Sequence, residues 1–215
     1  MGGKRPVRAP QPVLRLASAS PRRRQLLELI GVPHVVSPAD IDETPRAGER
    51  PDHYVMRLSC EKAQAIWQTQ RDLPVLGSDT TVTIGEHILG KPESEADAIG
   101  MLTRLSGRVH VVHTGIALRM PDGREFMGIS STQVQFAHLT EPQMRAYWAS
   151  GEPQGKAGAY AIQGLGAVFV SSITGSYTGV MGLPLYETAE MLRAAGIPVW
   201  QSTVVPGLVA KGAGR

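Results

Sequence analysis

Val13-Leu14-Arg15-Leu16-Ala17-Ser18-Ala19-Ser20-Pro21-Arg22-Arg23-Arg24 passes from an apolar run through small, hydroxyl-bearing residues into three consecutive arginines. The first five residues read as a short strand. Pro21 then suits the first position of a helix, where its fixed φ helps and its missing N–H costs nothing, and Ser20 suits the cap before it. Leu26, Leu27 and Ile30 supply the inner face of that helix, and Gly31 ends it. A strand, a tight loop and a helix start present free backbone N–H groups and the positive end of a helix dipole beside Ser18, Ser20, Arg22, Arg23 and Arg24. Arginines at a positive helix end repel it unless an anion joins them. Paired hydroxyls and guanidinium forks suit phosphate oxygens.

The rest of the chain alternates helices with hairpins. Val32 to Ser37 leads to an acidic loop, Ala39-Asp40-Ile41-Asp42-Glu43-Thr44. Pro51 opens a long helix whose apolar stripe holds Val55, Leu58 and Ile66, with Lys62 on the same stripe. Leu73–Ile84 reads as a strand turning at Gly85-Glu86 into His87–Leu89. Ser94 with Asp97 suggests a capping box for a helix to Leu105, closed by Gly107. Val109–Met120 and Arg124–Phe136 form a hairpin around Pro121-Asp122-Gly123, and Thr140 with Gln143 caps a helix through Trp148. Short strands are expected over 159–163 and 166–173, then a loop from Gly175 to Gly182 and a helix from Pro184 to Ala195. This order predicts an α/β fold, a mixed twisted sheet flanked by helices. Residues 13–203 form one domain, or two lobes with a cleft, between a basic tail over 1–12 and a flexible tail over 204–215.

With 215 residues the chain is long enough to bury a sizeable core without disulfides or structural metals. Its 22 Lys and Arg exceed its 19 Asp and Glu, but five of the basic residues lie in the two ends, leaving 17 against 19, a net −2, for residues 13–203. Clustered basicity on the body, which a nucleic-acid surface needs, is therefore missing, and the few aromatics offer no stacking platform for single strands. Cys60 is the sole cysteine, which fits a reducing cytoplasm and excludes a cysteine metal site. Residues 1–12 lack the apolar run of a signal peptide. No stretch approaches the roughly 20 apolar residues of a membrane span.

Asp79 stands between Val75-Leu76 and Val82, so its carboxylate needs a partner, and a metal or a lysine is the simplest one. Lys62 and Lys91 are candidates for that partner and for phosphate contacts. Asp40, Asp42, Glu43 and Asp79 are candidate oxygen ligands for Mg²⁺ or Mn²⁺, with a solvated turn as the competing reading for 40–43. If Lys62 serves an anionic ligand and not the fold, Lys62→Met keeps or raises thermal stability. Three look-alikes fail on spacing. Gly151 to Ala157 has three residues between its glycines where a P-loop has four, and Ala157 lacks the hydroxyl. Gly164-Leu165-Gly166 lacks a third glycine for a dinucleotide fingerprint, and His110 and His113 point to opposite faces of one strand.

Seven segments together carry a family resemblance: Leu16–Arg24, Ala39–Thr44, Glu61-Lys62-Ala63, Gly77-Ser78-Asp79-Thr80, Leu89-Gly90-Lys91-Pro92, Gly155–Gly164 and Gly182-Leu183-Pro184-Leu185. In that order they resemble the Maf family of nucleoside triphosphate pyrophosphatases, over about residues 13 to 200. The resemblance implies cleavage between the α- and β-phosphates, a divalent metal, an elongated α/β fold with a central cleft related to the inosine triphosphatase type, and a homodimer. It implies Asp79 as catalytic carboxylate and general base, with Ser18, Arg23, Glu43, Lys62 and Lys91 completing the phosphate and metal site, Glu43 and Asp79 being the metal ligands. Arg22, Thr80 and Gln163 match the branch acting on dTTP and UTP, where the branch acting on 7-methyl-GTP has Trp, Gln and Glu. The side-chain amide of Gln163 offers a donor and an acceptor to a pyrimidine imide edge. Ser176–Met181 departs from the usual sequence of that branch. A broader pyrophosphatase clearing modified pyrimidine nucleotides is a second enzymatic reading. A division-regulating protein, tied to septum formation and binding a partner or nucleic acid, is a rival from another class.

Overall fold

The computed structural model describes residues 11–85 and 87–200. Apart from Gln11 and Pro12, the expected tails over 1–12 and 204–215 lie outside these residues, as does Glu86 of the expected turn. Leu14–Leu16 forms β1, and Pro21–Leu29 forms α1, whose start is capped by Ser20 Oγ accepting the Arg23 N–H. β1 runs parallel to both β2 (His34–Val36) and β3 (Val75–Ile84). β4 (His87–Leu89) folds back antiparallel on β3. The long hairpin of β5 (Val109–Arg119) and β6 (Glu125–Phe136) follows, with β7 (Val170–Thr174) at the far edge. The result is one seven-stranded mixed sheet in the order β2-β1-β3-β5-β6-β7, with β4 beside β3.

Strand alternation divides the core between the two faces. Leu76 and Val82 of β3 and Val112, Ile116 and Leu118 of β5 join the larger apolar cluster with α1, α3 (Glu95–Leu105) and α6 (Leu185–Ala194). Val75 and Ala117 face the other way, under Ala63 and Ile66 of α2 (Pro51–Thr69). On that second face β3 and β5 carry glycines where α2 crosses. A Cβ on Gly77 would stand 2.1 Å from the Ser59 carbonyl oxygen, and one on Gly115 would stand 2.6 Å from that of Val55. Both obstacles are helix backbone, so the helix lies directly on the sheet and can do so only above glycine.

Three local expectations change. Residues 159–163 are not a strand, and 166–173 is strand only from Val170. Ala157–Ala159 and Leu165–Phe169 are 3₁₀ turns instead, because Gly158 and Gly164, at φ of 67° and 146°, break any extended run. The 175–182 loop contains a short helix, α5 (Tyr177–Met181). Asp97 accepts the Glu93 N–H and not that of the Ser94 cap, whereas in α4 (Glu141–Ala149) Gln143 does bond back to the Thr140 N–H.

His110 is buried among Phe136 and Tyr160 edge to face, with Nε2 bonded to the Tyr160 hydroxyl at 2.8 Å. Burial holds its pKa down to about 4, below the ordinary 6.5. The folded state therefore resists a proton that the unfolded chain accepts. Stability attributable to His110 is full above pH 6.5 and falls as pH drops toward 4, by about 1.4 kcal/mol per unit. Urea unfolding from pH 7 to 4 is expected to show this slope in the native protein and to lose that share of it in His110→Leu. For the helix–sheet contact, Gly77→Ala should cost about 1–3 kcal/mol by overpacking. Gly100→Ala, inside α3 with nothing within 4 Å of the new Cβ, should instead gain up to about 1 kcal/mol.

Candidate active site

The close approach of α2 carries Lys62 onto β3, one turn beyond Ser59. Its ammonium lies 2.6 Å from Asp79 Oδ1 and 2.7 Å from Glu43 Oε1, while Lys91 reaches Glu43 Oε2 at 3.8 Å. Lys62 and Asp79 are buried; Glu43 is half exposed and Lys91 exposed. Burial works against the charge of Glu43, but the bond and charge of Lys62, helped by Lys91 and Arg23, hold its carboxyl below the usual range. The partner for Asp79 predicted from its apolar surroundings is thus Lys62. Of the acidic loop only Glu43 faces inward. Asp42 is exposed and accepts the Thr44 N–H, closing a turn. The loop is tied to α2 by the Tyr54 hydroxyl on the Glu43 carbonyl and by Arg57, which grips Glu49 through two bonds and reaches the Thr44 carbonyl.

Arg23 is buried at the base of α1. Its Nε donates to the Gly182 carbonyl at 2.8 Å, Nη1 to Ser18 Oγ at 3.0 Å and Nη2 to Thr80 Oγ1 at 3.1 Å. Desolvation lowers its pKa, opposed by the charges of Asp79 and Glu43. A guanidinium has five N–H donors, so two remain for a ligand. The Thr80 hydroxyl also meets that of Thr114, which donates to the Gly179 carbonyl. One arginine therefore binds α1, β3 and the α5 segment together.

These groups line a cleft of about 1010 Å³. Every site residue expected from the sequence, namely Ser18, Ser20, Arg22, Arg23, Glu43, Lys62, Asp79, Thr80, Lys91 and Gln163, borders it. They fall in two groups. Asp79, Lys62, Glu43 and Lys91 are linked by ion pairs, and Arg22 sits within range of the charges of Glu152 and Lys156, with Tyr160 and Gln163 also lining the space. Lys156 and Glu152 are not among the site residues expected from the sequence, where Gly151 to Ala157 fails as a P-loop and carries no other signal for a charged lining. Five cations face three carboxylates across the cleft, and each carboxylate is engaged: Asp79 and Glu43 by Lys62, and Glu152 by the Tyr147 hydroxyl and two backbone N–H groups. Among the described residues there is no cluster of three or more His, Cys, Asp or Glu placed to hold a metal. Among the described residues no helix is long and apolar enough to cross a membrane.

A cleft with excess positive charge, a buried carboxylate–lysine pair and a capped helix start defines a polyanion-binding α/β protein. The family model for Maf-like protein matches residues 13–195, and the chain belongs to the Maf family. It is 52% identical over 200 residues to a dTTP/UTP pyrophosphatase of Bordetella parapertussis, covering 89% of this chain and 96% of the relative. It is 50% identical over 186 residues to a dTTP/UTP pyrophosphatase of Methylobacillus flagellatus, covering 86% and 93%. A solved nucleoside-triphosphatase / dITP/XTP pyrophosphatase of Mycobacterium abscessus overlaps 59% of this chain and 74% of its own at TM-score 0.40 and 18% identity.

The geometry reverses the stability expectation for Lys62. Removing it strands Asp79 as a buried charge, so Lys62→Met is expected to lose about 3 kcal/mol at neutral pH in chemical unfolding. Adding Asp79→Leu should recover part of that loss.

Proposed function

We propose that this chain is a nucleoside triphosphate pyrophosphatase that hydrolyses dTTP and UTP between the α- and β-phosphates, releasing the monophosphate and pyrophosphate. The observation that carries the reading is the Lys62 ammonium held between Asp79 and Glu43 on the wall of a cation-rich cleft. Relatives at about half identity bearing that activity in their names support it.

In this reading the triphosphate lies against the Ser18–Ser20 loop and the start of α1. The free N–H groups of Arg23, together with Lys62 and Lys91, offset its charge and that of the departing pyrophosphate. Asp79 is the general base that takes the proton of the attacking water. Lys62 holds the carboxylate in place through its 2.6 Å contact with Oδ1 until substrate arrives. Asp79 and Glu43 also fit a divalent ion, Mg²⁺ or Mn²⁺: two carboxylates meeting at one ammonium match a cation that takes its remaining ligands from substrate phosphates and water. Bound there, such an ion would add charge stabilisation on the phosphoryl oxygens. Gln163 and Arg22 also line the cleft, and in this reading the Gln163 amide addresses the base. The resemblance to the family brings with it a homodimer and a cytoplasmic location, checked by light scattering and fractionation.

Pyrophosphate release measured on dTTP, UTP, CTP, GTP and 7-methyl-GTP, each with Mg²⁺, Mn²⁺ or chelator, should show metal-dependent turnover mainly on dTTP and UTP. No turnover on any of them would remove the enzymatic reading. Asp79→Asn should lower turnover by about 10²–10⁴-fold while nucleotide binding persists.

A further inference from the structure

The glycines at 164 and 166 lack the spacing of a dinucleotide loop, yet both are required by their surroundings. A Cβ on Gly164 would lie 2.2 Å from Glu152 Oε2, and one on Gly166 would lie 2.6 Å from the Tyr147 hydroxyl and 2.7 Å from the Ala161 carbonyl. What crowds them is a clamp. Glu152 Oε2 accepts the Leu165 N–H at 2.9 Å, and Oε1 accepts both the Gly166 N–H at 2.9 Å and the Tyr147 hydroxyl at 2.7 Å. The same hydroxyl accepts the Ala161 N–H at 3.0 Å. Three hydrogen bonds thus fix the backbone on both sides of Gln163, at 161 and at 165–166, and a fourth ties Tyr147 to Glu152. The Tyr147 ring is in turn seated edge to face on Phe169 at 4.9 Å. Burial disfavours the charge of Glu152, but the two N–H groups and the Tyr147 hydroxyl outweigh it and hold the carboxyl below its usual range. Gln163 itself is exposed to the cleft, and among the described residues no hydrogen bond restrains its amide. Its aim depends on the backbone that carries it.

We propose that Glu152 and Tyr147 are positioning residues for substrate selectivity, holding the 161–166 loop so that Gln163 meets the base without themselves touching it. The inference rests on Gln163 as the base-reading residue. Breaking the clamp should therefore loosen recognition more than chemistry, raising KM for UTP and lowering the preference for UTP over GTP.

Two variants separate position from charge. Tyr147→Phe removes one hydroxyl and no charge; Glu152→Gln keeps the shape but gives up an acceptor. Each is expected to raise KM for UTP about tenfold with a smaller change in kcat, and to cut the UTP:GTP ratio of kcat/KM by a similar factor. In a Gln163→Ala background neither should cut the ratio further, since all three act through one contact. A fall in melting temperature with the ratio intact in both variants would overturn the proposal and leave the clamp a structural staple. Gln163→Ala that itself leaves the ratio unchanged would instead remove the base-reading role, a distinct failure that takes the proposal with it.

Discussion

The structure turns on a lysine ammonium buried between two carboxylates. Desolvating Lys62 and Asp79 is costly, and the arrangement is tolerable because the contacts are short and the half-exposed Glu43 adds a second carboxylate to the ammonium. Two glycines make them short. Gly77 and Gly115 remove the side chains that would otherwise lift α2 off the sheet, bringing Lys62 within 2.6 Å of Asp79. Glu43 is delivered by a loop that α2 itself restrains through Tyr54 and Arg57. One helix therefore supplies the cation and also fixes one of the anions it binds.

Arg23 does the corresponding task on the other side of the sheet. Strand alternation sends Asp79 toward α2 and Thr80 the opposite way, where Thr80 meets Arg23. The arginine then gathers Ser18 and the Gly182 carbonyl. Successive residues of a single strand thus serve different parts of the cleft, and a shift of one residue in the β3–β5 register would exchange them. The long antiparallel pairing from Val75–Arg119 to Thr83–Val111 protects against that slip.

Much of this was legible in the sequence where local chemistry determines local structure. The cap at Ser20, the proline helix starts, the hairpin at 121–123 and the inward Lys62 all follow from short-range rules, and the structure bears them out. For Asp79 in its apolar strand, burial cost calls for a metal or a lysine and leaves Lys62 and Lys91 as candidates; the structure pairs it with Lys62. Residues 159–163 and 166–169 are not strand although Ala, Val and Ile suggest it, because Gly158 and Gly164 take positive φ angles among close tertiary neighbours. Val82 packs against Gly158, and Glu152 against Gly164. Glycine marks the place in the sequence but not the partner that requires it. Lys156 escapes the sequence for a related reason: 151–157 fails as a P-loop and carries no other signal for a charged lining.

The charge inventory joins the two groups of cleft residues. Arg22, Arg23, Lys62, Lys91 and Lys156 exceed Glu43, Asp79 and Glu152 by two positive charges along the cleft. A nucleoside triphosphate brings roughly four negative charges at neutral pH. The protein alone thus offsets about half of them, and a divalent ion beside Asp79 and Glu43 would supply the remainder. The same inventory explains why no carboxylate in the cleft repels the ligand freely. Asp79 and Glu43 share Lys62, and Glu152 is turned to backbone N–H groups, so each carboxylate of the cleft is held against a partner, while Arg23 keeps two N–H donors uncommitted.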